Sequence, residues 1–129
     1  MEGAARQSLR TVADAMTQPA AVVERSATIQ DASAQMLDSG TQAAVVVEGG
    51  RVCGVATARD VANALAAAYD LARTAIGEIA ERDVPTARGD ELLVDVHERM
   101  RAEGHPIVAV LGDDDEPIGV LEDEEVRGP

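Results

Sequence analysis

The segment Gly54-Val55-Ala56-Thr57-Ala58-Arg59-Asp60 joins an apolar run to an alanine-rich one, and its residue types suit the binding of an anion. A glycine at the end of a strand lets a ligand come close to the backbone. The run from Ala62 to Ala72 predicts that a helix follows. Its first N–H groups and the positive end of its dipole then favour negative charge. The same spacing has a purely structural reading. Thr57 and Asp60 form a capping-box pattern, in which the hydroxyl takes one amide hydrogen and the carboxylate reaches back to another. The residues alone leave both readings open.

Other reactive side chains are scattered. Gly119-Val120-Leu121-Glu122-Asp123-Glu124-Glu125 repeats the first segment, but with Glu122 at the threonine position and Glu125 at the aspartate position. Carboxylates there repel phosphate, so this second site is expected to stay empty of any phosphate-bearing ligand or to take a neutral or cationic one. His97 and His105 fall in different elements, and with the lone Cys53 they make no zinc pattern. Asp113-Asp114-Asp115 fails as a calcium loop because Ile118 stands where glycine is needed. Cys53, between Val52 and Gly54, reads as a buried, inert strand residue. Met16, Met36 and Met100 read as core packing. No nucleophile, base and orienting group converge, and neither a G-x-S-x-G elbow nor a Walker loop is present, so catalysis is not expected.

The elements that must position these residues occur twice, the second set about 64 residues after the first. Val12 to Met16 answers Ile76 to Ala80 as a short amphipathic helix. Thr28 to Ser39 answers Leu92 to Glu103 as a longer one, with Ile29, Ala32, Met36 and Leu37, or Leu93, Val96 and Met100, on the apolar face. Gly40 and Gly104 then suit left-handed caps. Strand-like runs Ala43 to Val47 and Ile107 to Leu111 follow, each with a turn and a second strand. Short extended segments are expected near Val22-Val23 and Val84. Pro106 places His105 at the start of a strand.

Two copies in register, carried by VADAMTQPAAVV, ATIQDASAQMLDSG, AAVVVEGGRVCGVATARDV and HPIVAVLGDDDEPIGVL, resemble a tandem pair of CBS domains from about Arg10 to Val126. The resemblance implies an α/β fold of two repeats, 10–73 and 74–127, each helix, helix, strand, strand, helix. They would be related by a pseudo-twofold axis, and two pairs would stack as a disc-like homodimer. It implies a stand-alone regulatory protein that binds an adenine nucleotide or adenosyl ligand and signals through a protein partner. AMP, ADP, ATP and S-adenosylmethionine are the candidates, and no resident cofactor is implied. Asp60 would accept hydrogen bonds from ribose hydroxyls and Thr57 would donate to ribose or phosphate, with Gly54 allowing close approach and Arg59 placed to reach a phosphate. The base would pack near Thr17, Pro19 and Val22. The rival reading is a ligand-free interaction or scaffold module.

Composition narrows the classes further. With 129 residues, no Phe or Trp and one Tyr, the core must come from aliphatic side chains and alanine, so the halves are expected to share it. All basic residues are Arg, and 24 acids leave a net charge of −13, which disfavours nucleic acid as a partner. Eight of those acids fall in residues 113–125, which read as a solvated edge, with a basic partner as the other option. No apolar run is long enough for a membrane span. Residues 1–10 lack the apolar stretch of a secretory signal, and one cysteine gives no disulfide framework. A cytoplasmic location is expected.

Overall fold

Thr28 and Gly40 bracket the first long helix, α2 (Ile29–Ser39). The Thr28 hydroxyl accepts the Asp31 amide at 3.0 Å, and Gly40 ends the helix at φ 68°. Gly104 ends α4 (Leu93–Glu103) in the same way at φ 73°. The computed structural model describes residues 9–17 and 21–123. Helix α2 buries Ile29, Ala32 and Met36, and α4 buries Leu93, Val96 and Met100. Leu37 departs from the expected apolar face and is 82% exposed. It lies one residue, about 100° of helical turn, beyond Met36.

Two mixed sheets carry the rest. The first has the order β1 (Ala21–Glu24), β2 (Ala43–Glu48), β3 (Arg51–Thr57), β4 (Glu81–Arg82), and the second β5 (Thr86–Arg88), β6 (Ile107–Leu111), β7 (Pro117–Glu122). In each, the first pair is parallel and the central hairpin antiparallel. The strand expected near Val84 is β5, two residues later, and β6 begins at Ile107 rather than His105. Burial along Ala43–Val47 is continuous because both faces of β2 are covered. Ala44 and Val46 pack with Ala56 against α2, whereas Val45 and Val47 pack with Val55 against Ile107, Ala109 and Val120 of the second sheet. That second contact is the shared core between the halves.

Each hairpin carries a bulge at the same place. The register slips between Val46 and Val47, leaving Cys53 without a partner residue, and between Val110 and Leu111, leaving Ile118. An extra residue breaks the in-out alternation. Cys53 is therefore exposed, contrary to the buried position expected from its neighbours. Met36 and Met100 are buried as expected, and Met16 packs half-buried at the margin of the second core.

The opening segments are exchanged between the halves. Val12, on α1 (Val12–Ala15), is fully buried among Ala87, Leu93, Val96, Met100 and Val108 of the second half. Ile76, in a single 3-10 turn (Ile76–Glu78), is fully buried among Val23, Ile29 and Met36 of the first. Matching backbone bonds seat both. The Val12 amide donates to the Glu91 carbonyl and Leu93 to Arg10 (2.9 and 2.8 Å), while Ile76 donates to Ala27 and Ile29 to Thr74 (2.7 and 2.9 Å). Strand β4 likewise joins β3 of the first half, and Thr17 bridges Val120 on β7 of the second.

Helix α3 (Ala58–Ala66) is shorter than its alanines suggest. Ala67 caps it and Ala68 turns the chain at φ 66°, so the helix expected through Ala72 stops a turn and a half earlier.

Candidate functional site

At the junction of β3 and α3 the capping box forms in full. The Thr57 amide donates to Asp60 Oδ2 at 2.9 Å, and the Asp60 amide donates to Thr57 Oγ1 at 3.1 Å. The Ala58 amide is also engaged, by the Gln42 carbonyl at 2.9 Å. Two of the first three helical amides are thus already used by the protein, which reduces what the helix start offers an anion. Thr57 is buried, Asp60 half-buried and Arg59 exposed. The capping bond uses one carboxylate oxygen of Asp60. The residue also lines a cleft of about 300 Å³ with Asn63, Ala64, Ala67, Tyr69, Glu78 and Ile79. A carboxylate anchored through one oxygen and set on a cleft suits acceptance of hydroxyl hydrogens.

The close approach that Gly54 permits is made by the protein itself. A Cβ there would lie 2.5 Å from the Glu81 carbonyl oxygen, so the glycine is required by the packing of β4 on β3. Gly119 has the same surroundings in the second half, against Met16 and the Thr17 carbonyl.

Two other residues expected at the site, Thr17 and Val22, do not line the cleft of Asp60. Thr17 donates its amide to the Val120 carbonyl at 2.9 Å and lines a different cleft, of about 340 Å³, with Gly40, Thr41, Gln42, Ala43, Val120 and Glu122. Thr17 therefore accompanies the second glycine segment, not the first. The exchange of opening segments is the reason. Val22, on β1, pairs with Val45 of β2 and is 37% exposed. Pro19 and Glu125 lie outside the described residues. Asn63, Tyr69, Glu78, Thr41 and Gln42 line these clefts without having been singled out in the sequence. The helical spacing of Asp60, Asn63, Ala64 and Ala67 was the available signal for the first of them.

The acidic stretch is less uniform than a solvated edge. Asp123 is only 5% exposed, with Arg101 Nε 3.1 Å from its carboxylate, and Asp115 meets Arg88 at 2.7 Å. His97 and His105 stay apart on α4 and the loop after it. Among the described residues no cluster of three or more His, Cys, Asp or Glu side chains is arranged to hold a metal. Asp14 on α1 has its pKa held below the ordinary aspartate value, first by the Thr11 backbone amide, 2.9 Å from its Oδ2.

The family model for the CBS domain matches this chain twice, at residues 12–67 and 76–128. The chain belongs to the CBS domain family. Among solved structures, this CBS pair resembles that of protein MJ0100 in complex with 5′-methylthioadenosine and S-adenosyl-L-methionine. The identity is 25%, the TM-score 0.72, and the match covers 92% of this chain and 94% of that one. It shares the fold of the CBS domain protein PAE2072 from Pyrobaculum aerophilum complexed with AMP, at 23% identity and TM-score 0.72, over 87% of this chain and 86% of that one. A homoserine O-acetyltransferase of Methanococcoides burtonii is 31% identical over 118 residues, which are 91% of this CBS pair but only 23% of that enzyme. The chain thus spans less than a quarter of its curated relative.

Proposed function

We propose that this CBS pair is a regulatory module that binds an adenine nucleotide or adenosyl ligand at Thr57–Asp60 and signals through a protein partner. The observation that carries the reading is Asp60, fixed by its capping bond and set on a cleft, a placement that suits the acceptance of ribose hydroxyls. Thr57 supports that geometry, and exposed Arg59 is a cation available for a phosphate. The bound 5′-methylthioadenosine and S-adenosyl-L-methionine of the MJ0100 pair support the ligand class. Its role is regulatory rather than catalytic, because the site offers binding groups and no nucleophile paired with a base. Exposed Leu37 and Leu65 support homodimer formation through the helical faces, the disc-like stacking that CBS pairs adopt. Among the described residues no helix is long and apolar enough to cross a membrane, and we assign the protein to the cytoplasm.

Calorimetric titration with AMP, ADP, ATP and S-adenosylmethionine tests the reading, with a guanine nucleotide as control. Ligand at a hundred times its dissociation constant stabilises the fold by about 2.7 kcal/mol. Asp60→Ala abolishes that gain at a cost of about 1 kcal/mol in the cap. The complete capping box favours a second reading, in which Thr57 and Asp60 serve only the helix and the protein is a ligand-free interaction module. An absence of binding by every adenosyl ligand selects it.

A further inference from the structure

Glu122 and Thr57 hold the same place in the two hairpins. Each pairs with the first residue of the preceding strand, Glu122 with Ile107 and Thr57 with Ala43. Side chains two residues apart on a strand share a face. Val55 and Val120 pack where the two sheets meet, so Thr57 and Glu122 point toward that meeting as well. Beside Glu122, the exchanged Thr17 and, from the first half, Thr41, Gln42 and Ala43 complete a cleft of about 340 Å³. That volume suits a small molecule, and the walls come from both halves.

The lining is rich in hydrogen-bond acceptors. Among the described residues that line the cleft, Glu122 is the one ionisable group. The Thr41 hydroxyl donates to the Ala43 carbonyl at 3.0 Å, and the Thr17 amide donates to the Val120 carbonyl at 2.9 Å, so both hydrogens are used within the protein. The Gln42 amide and the Thr17 hydroxyl offer neutral partners for a base or a ribose. A phosphate or carboxylate placed here meets Glu122 with no lining cation among the described residues to offset it, whereas an ammonium brings three donors to a wall of acceptors.

We infer, extending the adenosyl class proposed above to this cleft, that it takes a nucleoside bearing an amine and no phosphate or carboxylate. Glu122 sets that specificity by accepting the ligand's ammonium and turning anions away. Thr57, in the same place on the first hairpin, is neutral and has exposed Arg59 two residues on, so the first site admits a phosphate. A single difference between the repeats thus gives one molecule two sites that read opposite charge on related ligands.

Calorimetric titration of the full chain tests this with two probes, AMP and 5′-amino-5′-deoxyadenosine, in which an amine stands in place of the phosphate. Asp60→Ala removes the first site, and in that variant the amine binds while AMP does not. Adding Glu122→Gln, which keeps the size of the side chain and removes its charge, weakens the amine about tenfold. Glu122 is exposed, so this second change leaves the melting temperature close to that of Asp60→Ala alone. The specificity is refuted if the amine fails to bind Asp60→Ala, if AMP binds that variant as well as the amine does, or if Glu122→Gln leaves the amine's affinity unchanged. AMP binding to the wild-type chain that Asp60→Ala removes upholds the first site even when the amine fails. Amine binding that depends on Glu122 upholds the second even when AMP fails.

Discussion

Replacing Ile76 by Ala tests the exchanged topology directly. Ile76 belongs to the second half in sequence but is fully buried in the core of the first, among Val23, Ile29 and Met36. The turn around it is held by the bonds to Ala27 and Thr74, so the wall cannot collapse freely into the space left behind. An Ile→Ala change at such a site costs about 3 kcal/mol. For 129 residues, an unfolding entropy of about 2.1 cal/mol/K per residue gives about 0.27 kcal/mol per kelvin, hence a fall in Tm of about 11 °C. Scanning calorimetry measures that fall, and native-state hydrogen exchange locates it. Amides of α2 and β2, some forty residues earlier in the chain, lose protection first, while α4 and β6 keep theirs. A fall of under about 3 °C, or loss of protection confined to α4 and β6, would refute the exchanged packing.

Gly54→Ala forces its Cβ against the Glu81 carbonyl, a backbone atom that moves only with β4. It lowers stability by about 1–3 kcal/mol in urea titrations even when no ligand is present. Asp14 has a lowered pKa in the folded state, so its contribution is present above the ordinary aspartate pKa of about 4 and is lost as pH falls through the folded value. Asp14→Asn therefore lowers Tm at pH 7, and the two melting curves converge in strong acid.

Local features were readable in the residues, and non-local ones were not. Thr28 and Gly40 mark the ends of α2, and Thr57 with Asp60 closes the box that their spacing implies, because each feature depends on atoms a few residues apart. Leu37 and Cys53 were misplaced for different reasons. Periodicity allows a face two residues wide at that turn of α2, and only packing shows that Met36 fills it. The bulge that turns Cys53 outward depends on the partner strand, which the run Arg51–Thr57 does not reveal. The separation of Thr17 from Thr57 is the largest departure. Exact repetition suggests that each opening segment serves the copy it begins, whereas the pairing of Thr17 with Val120 and of Glu81 with Val55 crosses between copies. By symmetry the two arrangements have the same pattern of residues, so a sequence repeat cannot distinguish them.

The crossed opening segments give the molecule the geometry of a swapped dimer whose two chains have been joined into one. Two separate single-repeat chains would complete each other only by meeting in solution, and their folding would depend on their concentration. Joined in one chain, Val12 and Ile76 reach their cores as intramolecular partners, at a local concentration that dilution does not change. Completion of both cores therefore does not depend on the concentration of the protein.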